Sequence, residues 1–174
     1  MITLINAPGI KTFSGLRWIV DFCHELIDRG LDITWQLPSG TQAEVFDAEV
    51  ADLLYRSGCR ALAFAPESGS PAILKAVKKQ VDLGHMMDAM QSAVRRGLKL
   101  SCFIVIGLPD DTPATLRDTL RLIRRMAVLG VHDVAVSKLV PYPGFDAVPA
   151  AAAGAQAPAR RRSRPIAALQ ARSR

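Results

Sequence analysis

The feature that most constrains this chain is a repeated unit: a stretch with helical periodicity, a glycine, and within a few residues a short apolar run. It occurs four times. Leu16, Ile19, Val20, Cys23, Leu26 and Ile27 share one helical face before Gly30, and Ile33-Thr34-Trp35-Gln36-Leu37 follows. Phe46, Val50, Leu53 and Leu54 repeat the spacing before Gly58 and Ala61-Leu62-Ala63-Phe64-Ala65. The third stretch opens at Ser70-Pro71, a capping hydroxyl ahead of a proline whose missing N–H costs nothing at the first helical position. A break near Gly84 splits it, and Met87, Met90 and Val94 carry the second part to Gly97 and the most hydrophobic run, Leu98 to Ile106. The fourth starts at Asp111-Thr112-Pro113, places Leu116, Leu120, Ile123 and Ala127 on one face, and ends at Gly130 before Val134 to Val140. Glycine just past a helix supplies the left-handed residue that ends it.

With Ile2-Thr3-Leu4-Ile5 as an opening strand, the body holds five strands joined by four helical regions. Strands this continuously apolar belong to a parallel sheet covered by helices, so the fold class is α/β. A complete eight-unit barrel takes about 250 residues, whereas the patterned body ends near Gly144. The sheet is then either open or part of a barrel. In 174 residues, a hydrophobic share of 49% excludes gross disorder. No run approaches the roughly 18 apolar residues of a membrane span, so a soluble protein with no membrane partner is expected. The first residues lack the basic start and apolar stretch of a secretory signal, which makes the cytoplasm the expected location.

The net charge of +6 is carried by one end of the chain. Six arginines and no acid lie between Pro149 and Arg174, leaving the body with sixteen basic and sixteen acidic residues. Alanine, arginine and proline dominate there, so residues 147–174 are expected to be disordered, after a folded body over 1–146. Such a tail is a solvated extension, a weak nucleic-acid or anionic-surface contact, or the product of a shifted frame in a GC-rich gene. No aromatic residue follows Phe145 for bases to stack on. Cys23, Cys59 and Cys102 fit neither a metal knuckle nor an even disulfide framework, and are expected to be reduced thiols. His24, His85 and His132 have no partner at ligand spacing and are expected on the surface.

Ligands of parallel α/β folds bind at the carboxyl ends of the strands. Four polar or glycine- and proline-rich stretches fall there: Gln36 to Gly40, Ala65 to Ser70, Gly107 to Asp111, and Pro141 to Gly144. Glu67-Ser68-Gly69-Ser70 is the richest. Glu67 can accept from hydroxyls or an ammonium group, and the serine hydroxyls and free N–H groups can hold a carboxylate or phosphate, with Gly69 allowing close backbone approach. The alternative is that these residues only start the next helix. Asp110 and Asp111 suggest acid–base work, but Asp111-Thr112-Pro113 is more economically a helix start.

Phe64-Ala65-Pro66-Glu67-Ser68-Gly69-Ser70 with Ile73-Leu74-Lys75 and Lys78-Lys79, then Gly97-Leu98, Phe103 to Pro109 and Pro141-Tyr142-Pro143-Gly144, resemble in order and spacing the later part of the catalytic barrel of radical S-adenosylmethionine (radical SAM) enzymes. The likeness runs from Ile2 to Gly144 and is greatest to the branch that often carries a cobalamin-binding domain. It implies a partial (β/α)6 TIM-like barrel, incomplete at the N-terminus, in which a [4Fe–4S] cluster cleaves S-adenosylmethionine to a 5′-deoxyadenosyl radical. It implies that Glu67, Ser68 and Gly69 help hold the ribose and methionyl parts of the cofactor, and that Gly107 and Tyr142 border the adenine. Cobalamin would belong to the full-length protein.

The chain departs from the family at several points. The cluster loop, Cys-x3-Cys-x2-Cys, is absent, and Gln42 stands where relatives commonly carry an arginine. The expectation is a truncated radical SAM protein without metal ligands, inactive alone, whose catalytic residues and substrate are not defined by the sequence. A missing first strand would leave a sheet edge open to self-association. The competing expectations are a non-catalytic α/β binding module with a basic tail, and an ordinary phosphate-binding enzyme using the Gly69-Ser70 helix start.

Overall fold

A computed structural model describes residues 2–3, 17–38, 41 and 43–140. Tyr142, Gln42, the second half of the opening strand and the tail over 147–174 lie outside the described residues. Five strands, β1 (Ile2–Thr3), β2 (Trp35–Leu37), β3 (Cys59–Glu67), β4 (Lys99–Ile106) and β5 (Asp133–Lys138), form one sheet in sequential order, every neighbouring pair parallel. The helices are α1 (Arg17–Asp28), α2 (Ala48–Arg56), α3 (Pro71–Ala76), α4 (Leu83–Arg96) and α5 (Pro113–Leu129). A doubly wound sheet reverses strand order at a switch point, whereas a barrel adds each strand beside the last. The sequential order is that of a partial barrel.

A single core lies between one face of the sheet and the helices. Leu100, Cys102 and Ile104 of β4 and Leu62 and Phe64 of β3 are buried with Cys23, Leu54, Met90 and Met126 of the helices. Ser101, Phe103 and Val105, on the alternate face, are half-buried. Phe46 and Phe64 meet edge to face at 5.4 Å, and Trp35 donates its indole N–H to the Ser57 carbonyl at 3.0 Å. All three thiols are free and buried. No helix among the described residues is long and apolar enough to cross a membrane.

Several element boundaries and faces differ from the sequence expectation. Phe46 sits before α2, where Asp47 is the N-cap and accepts from Val50 N. The break in the third stretch falls at residues 77–82. Gly84 lies inside the first turn of α4, donating to the Asp82 cap. The α5 face is rotated: Thr119, Leu122 and Met126 are buried, while Leu120 is 60% exposed. A polar residue occupies the inner face because it has hydrogen-bond partners there, which an apolar pattern does not register. The start of α5 agrees with the expected Asp111-Thr112-Pro113: Pro113 is its first residue and Thr112 the N-cap, in a capping box with Thr115.

Candidate functional site

The carboxyl ends of β3 and β4 bring Glu67 and Gly107 to one rim, with Glu67 in register with Ile104 of β4. Ser68 N–H donates to the Pro66 carbonyl at 2.7 Å and Glu67 has φ +63°. That is a γ-turn of the rare, strained kind, with a glutamate at its centre. Just beyond α3, Lys78 (φ +56°) ends the helix in a Schellman turn: Lys79 N–H reaches the Leu74 carbonyl and Lys78 N–H reaches that of Lys75. This turn delivers Lys79 to the rim. Its Nζ lies 3.2 Å from Glu67 Oε1, both side chains being partly exposed.

Lys79 also lines a cavity of about 770 Å³ with Thr41, Glu44, Ala65, Asp82 and Met86. Thr41 N–H continues the sheet by donating to the Ala63 carbonyl at 2.7 Å. Among the described residues its hydroxyl oxygen is buried without a hydrogen-bond partner. A buried hydroxyl left unpaired costs stability, so an unsatisfied one in a cavity wall points to a ligand or water. Asp82, on the same wall, is held below the usual carboxylate range by the His85 and Gly84 N–H groups that it caps.

The other residues of the rim motif serve the scaffold. Ser68 is 1% exposed, and its hydroxyl meets Thr119 Oγ1 at 3.2 Å and accepts from Ser70 N–H. Ser70 is the N-cap of α3 by backbone geometry but makes no side-chain cap, contrary to the capping role expected of it. Gly69 gives close approach to a helix instead of a ligand: a Cβ there would lie 2.6 Å from the Asp118 carbonyl oxygen and the Thr119 Cα. Asp111 ties down the end of β4, accepting from Gly107 N–H at 2.8 Å and Leu108 N–H at 3.0 Å. Gly107 itself has φ +74°, a conformation that suits glycine. Thr41 and Thr119 were not singled out from the sequence, and Lys79 only within the Lys78-Lys79 pair that carries the family resemblance.

His24, His85 and His132 are exposed, and no metal-binding group of three or more ligands exists among the described residues. The cysteines do not fit a [4Fe–4S] cluster. Burial pushes the Cys59 and Cys102 thiols up to about 12 and raises that of Cys23, while cluster ligation needs thiolates. Cys23 Sγ lies 3.2 Å from the Ser57 hydroxyl, and Cys102 contacts Met90 Sδ at 4.0 Å. The donor set at the rim does fit S-adenosylmethionine in kind: a carboxylate for ribose hydroxyls or an ammonium group, and a hydroxyl that both donates and accepts.

A family model described as the radical SAM superfamily matches residues 12–123. The chain belongs to that superfamily. It is 29% identical over 125 residues to an uncharacterised methyltransferase of Pyrococcus horikoshii, covering 72% of this chain and 26% of that protein. Among solved structures it is similar to the radical SAM methyltransferase TsrM from Kitasatospora setae with cobalamin and a [4Fe–4S] cluster bound, at TM-score 0.59 and 20% identity over 68% of this chain and 23% of that one. Coproporphyrinogen III oxidase from Escherichia coli, also a radical SAM enzyme, gives TM-score 0.57 at 17% identity over 79% and 31%. These two likenesses are of fold. They agree with the partial radical SAM barrel, and the methyltransferase relatives with the cobalamin-associated branch. The chain spans about a quarter of the length of the first of these relatives.

Proposed function

We propose that this chain supplies the S-adenosylmethionine rim of a radical SAM enzyme, of the methyltransferase type suggested by its relatives, while its own cysteines leave the cluster unligated. The observation that carries the reading is the Thr41 hydroxyl, buried and without a partner among the described residues, in a 770 Å³ cavity whose wall includes Lys79, the partner of Glu67. Glu67 would hold the ribose or methionyl end of the cofactor, with Lys79 orienting the carboxylate, and Gly107 would border the adenine. In this family the bound cofactor supplies a 5′-deoxyadenosyl radical once a [4Fe–4S] cluster reduces it. No step of that reduction is assigned to this chain, because its thiols are buried and protonated.

The test is a calorimetric titration of S-adenosylmethionine into the wild-type chain and the Glu67→Ala variant. Saturable binding weakened about ten-fold by the substitution, or about 1.4 kcal/mol, is expected; equal affinities would remove Glu67 from the site. Anaerobic iron–sulfide reconstitution of the same sample should yield no stoichiometric [4Fe–4S] absorbance, and a full cluster would contradict the assignment of the cysteines.

A further inference from the structure

We propose that Thr119, on the helix behind the rim, is a positioning residue that holds Glu67 in its strained conformation through the Ser68-Gly69 turn. The inference rests on the reading of Glu67 as a ligand-binding residue, but its geometry stands without a ligand. Thr119 is 3% exposed. Its Oγ1 lies 3.0 Å from Gly69 N, 3.2 Å from Ser68 Oγ and 3.2 Å from the Thr115 carbonyl oxygen. A hydroxyl has one proton and two lone pairs, so the directions follow by elimination. The Thr119 proton goes to Thr115, whose carbonyl can only accept. Thr119 then accepts from Gly69 N–H and from the Ser68 hydroxyl, and Ser68 accepts from Ser70 N–H at 3.2 Å. Three consecutive rim residues hang on one oxygen of α5.

The strain sits next to that anchor. Glu67 is the centre of the γ-turn, at φ +63°, a region that a residue with a side chain occupies only when its surroundings force it. On one side β3 is fixed by its pairing with β4. On the other, Gly69 is pressed against the backbone of Asp118 and Thr119 with no room for a Cβ. The turn therefore cannot slide along α5, and the Thr119 oxygen sets where it stops. Valine at this position keeps the shape and removes both lone pairs, leaving Gly69 N–H and the proton of the Ser68 hydroxyl without an acceptor. Glu67 is then free to relax to negative φ and to swing its carboxylate away from Lys79. Serine keeps the oxygen and should keep the turn.

The experiment is a double-mutant cycle read by S-adenosylmethionine affinity. Thr119→Val is expected to weaken binding about ten-fold and Thr119→Ser by less than about two-fold. In a Glu67→Gln background Thr119→Val should have no further effect, because it acts only through Glu67. The same loss in both backgrounds would make Thr119 a general structural residue and overturn the inference. If Glu67→Gln binds like the wild type, it is the ligand reading that fails, and the inference is decided on the ligand-free protein. Scalar couplings that report the sign of φ at Glu67 should show a positive φ in wild type and Thr119→Ser and a negative one in Thr119→Val. A positive φ retained in Thr119→Val would overturn it. Ser68→Ala, which removes one link of the chain, provides the same readout should Thr119→Val fail to fold.

Discussion

Glu67, Ser68 and Gly69 are adjacent in sequence and differ in physical role. The carboxylate is on the rim with Lys79, the hydroxyl is bonded to Thr119, and the glycine admits the backbone of α5. Gly69→Ala is therefore expected to destabilise the fold by about 1–3 kcal/mol through overpacking, measured by urea denaturation; an unchanged midpoint would mean that α5 can retreat freely. The thiols give a second residue-scale prediction. In the folded chain Cys59 and Cys102 keep their protons to about 12, against an ordinary value of 9.0. Above that ordinary value the unfolded chain releases protons that the folded chain retains, so stability falls as pH rises, by about 1.4 kcal/mol per pH unit for each thiol. The loss stops near the folded values. Urea midpoints at about pH 8 and about pH 10.5 should differ in this direction, and equal midpoints would contradict the burial of these thiols. At this scale the sequence showed Glu67, because a carboxylate between an apolar run and a Ser-Gly pair is conspicuous. It did not show Thr41 or the pairing of Lys79 with Glu67, which depends on a chain reversal that no local pattern encodes.

Among the elements, the strands and helices were legible because each has a period and a stop. Gly97 and Gly130 end α4 and α5 in the left-handed conformation expected of them. The misjudged face of α5 has a definite cause: Leu120 suggested an apolar stripe, while the side buried against the rim carries Thr119, which finds partners across the interface. The same holds for the start of α4, where Asp82, and not Gly84, marks the boundary by capping two N–H groups. Because its folded value lies below the ordinary 3.8, the stabilisation from this cap is complete above that value. It is lost as pH falls through the folded one. Hydrogen exchange at Gly84 and His85 should accelerate in that acid range and at neutral pH in Asp82→Ala. Protection unaffected by either change would show that the cap contributes nothing to α4.

For the whole molecule, sequential parallel order, one helical layer and one core identify a partial barrel with β1 and β5 at the two ends of the sheet. The class was readable from the βα repeat; the choice between an open sheet and a barrel was not readable from that repeat, since both give the same local pattern, and came from the family resemblance. That choice depends on where each strand is added, which only the tertiary structure displays. Membership of the radical SAM superfamily and the lack of a cluster-binding thiolate set in this chain are compatible. The rim that would grip the cofactor is built from β3, β4 and the turns behind them, independently of Cys23, Cys59 and Cys102. The most direct measurement is a titration of isotopically labelled protein with S-adenosylmethionine, following backbone amide shifts. The account predicts changes centred on Thr41, Ala65, Glu67, Lys79 and Gly107. An unaltered spectrum, or changes confined to the outer surface of α4 and α5, would contradict it.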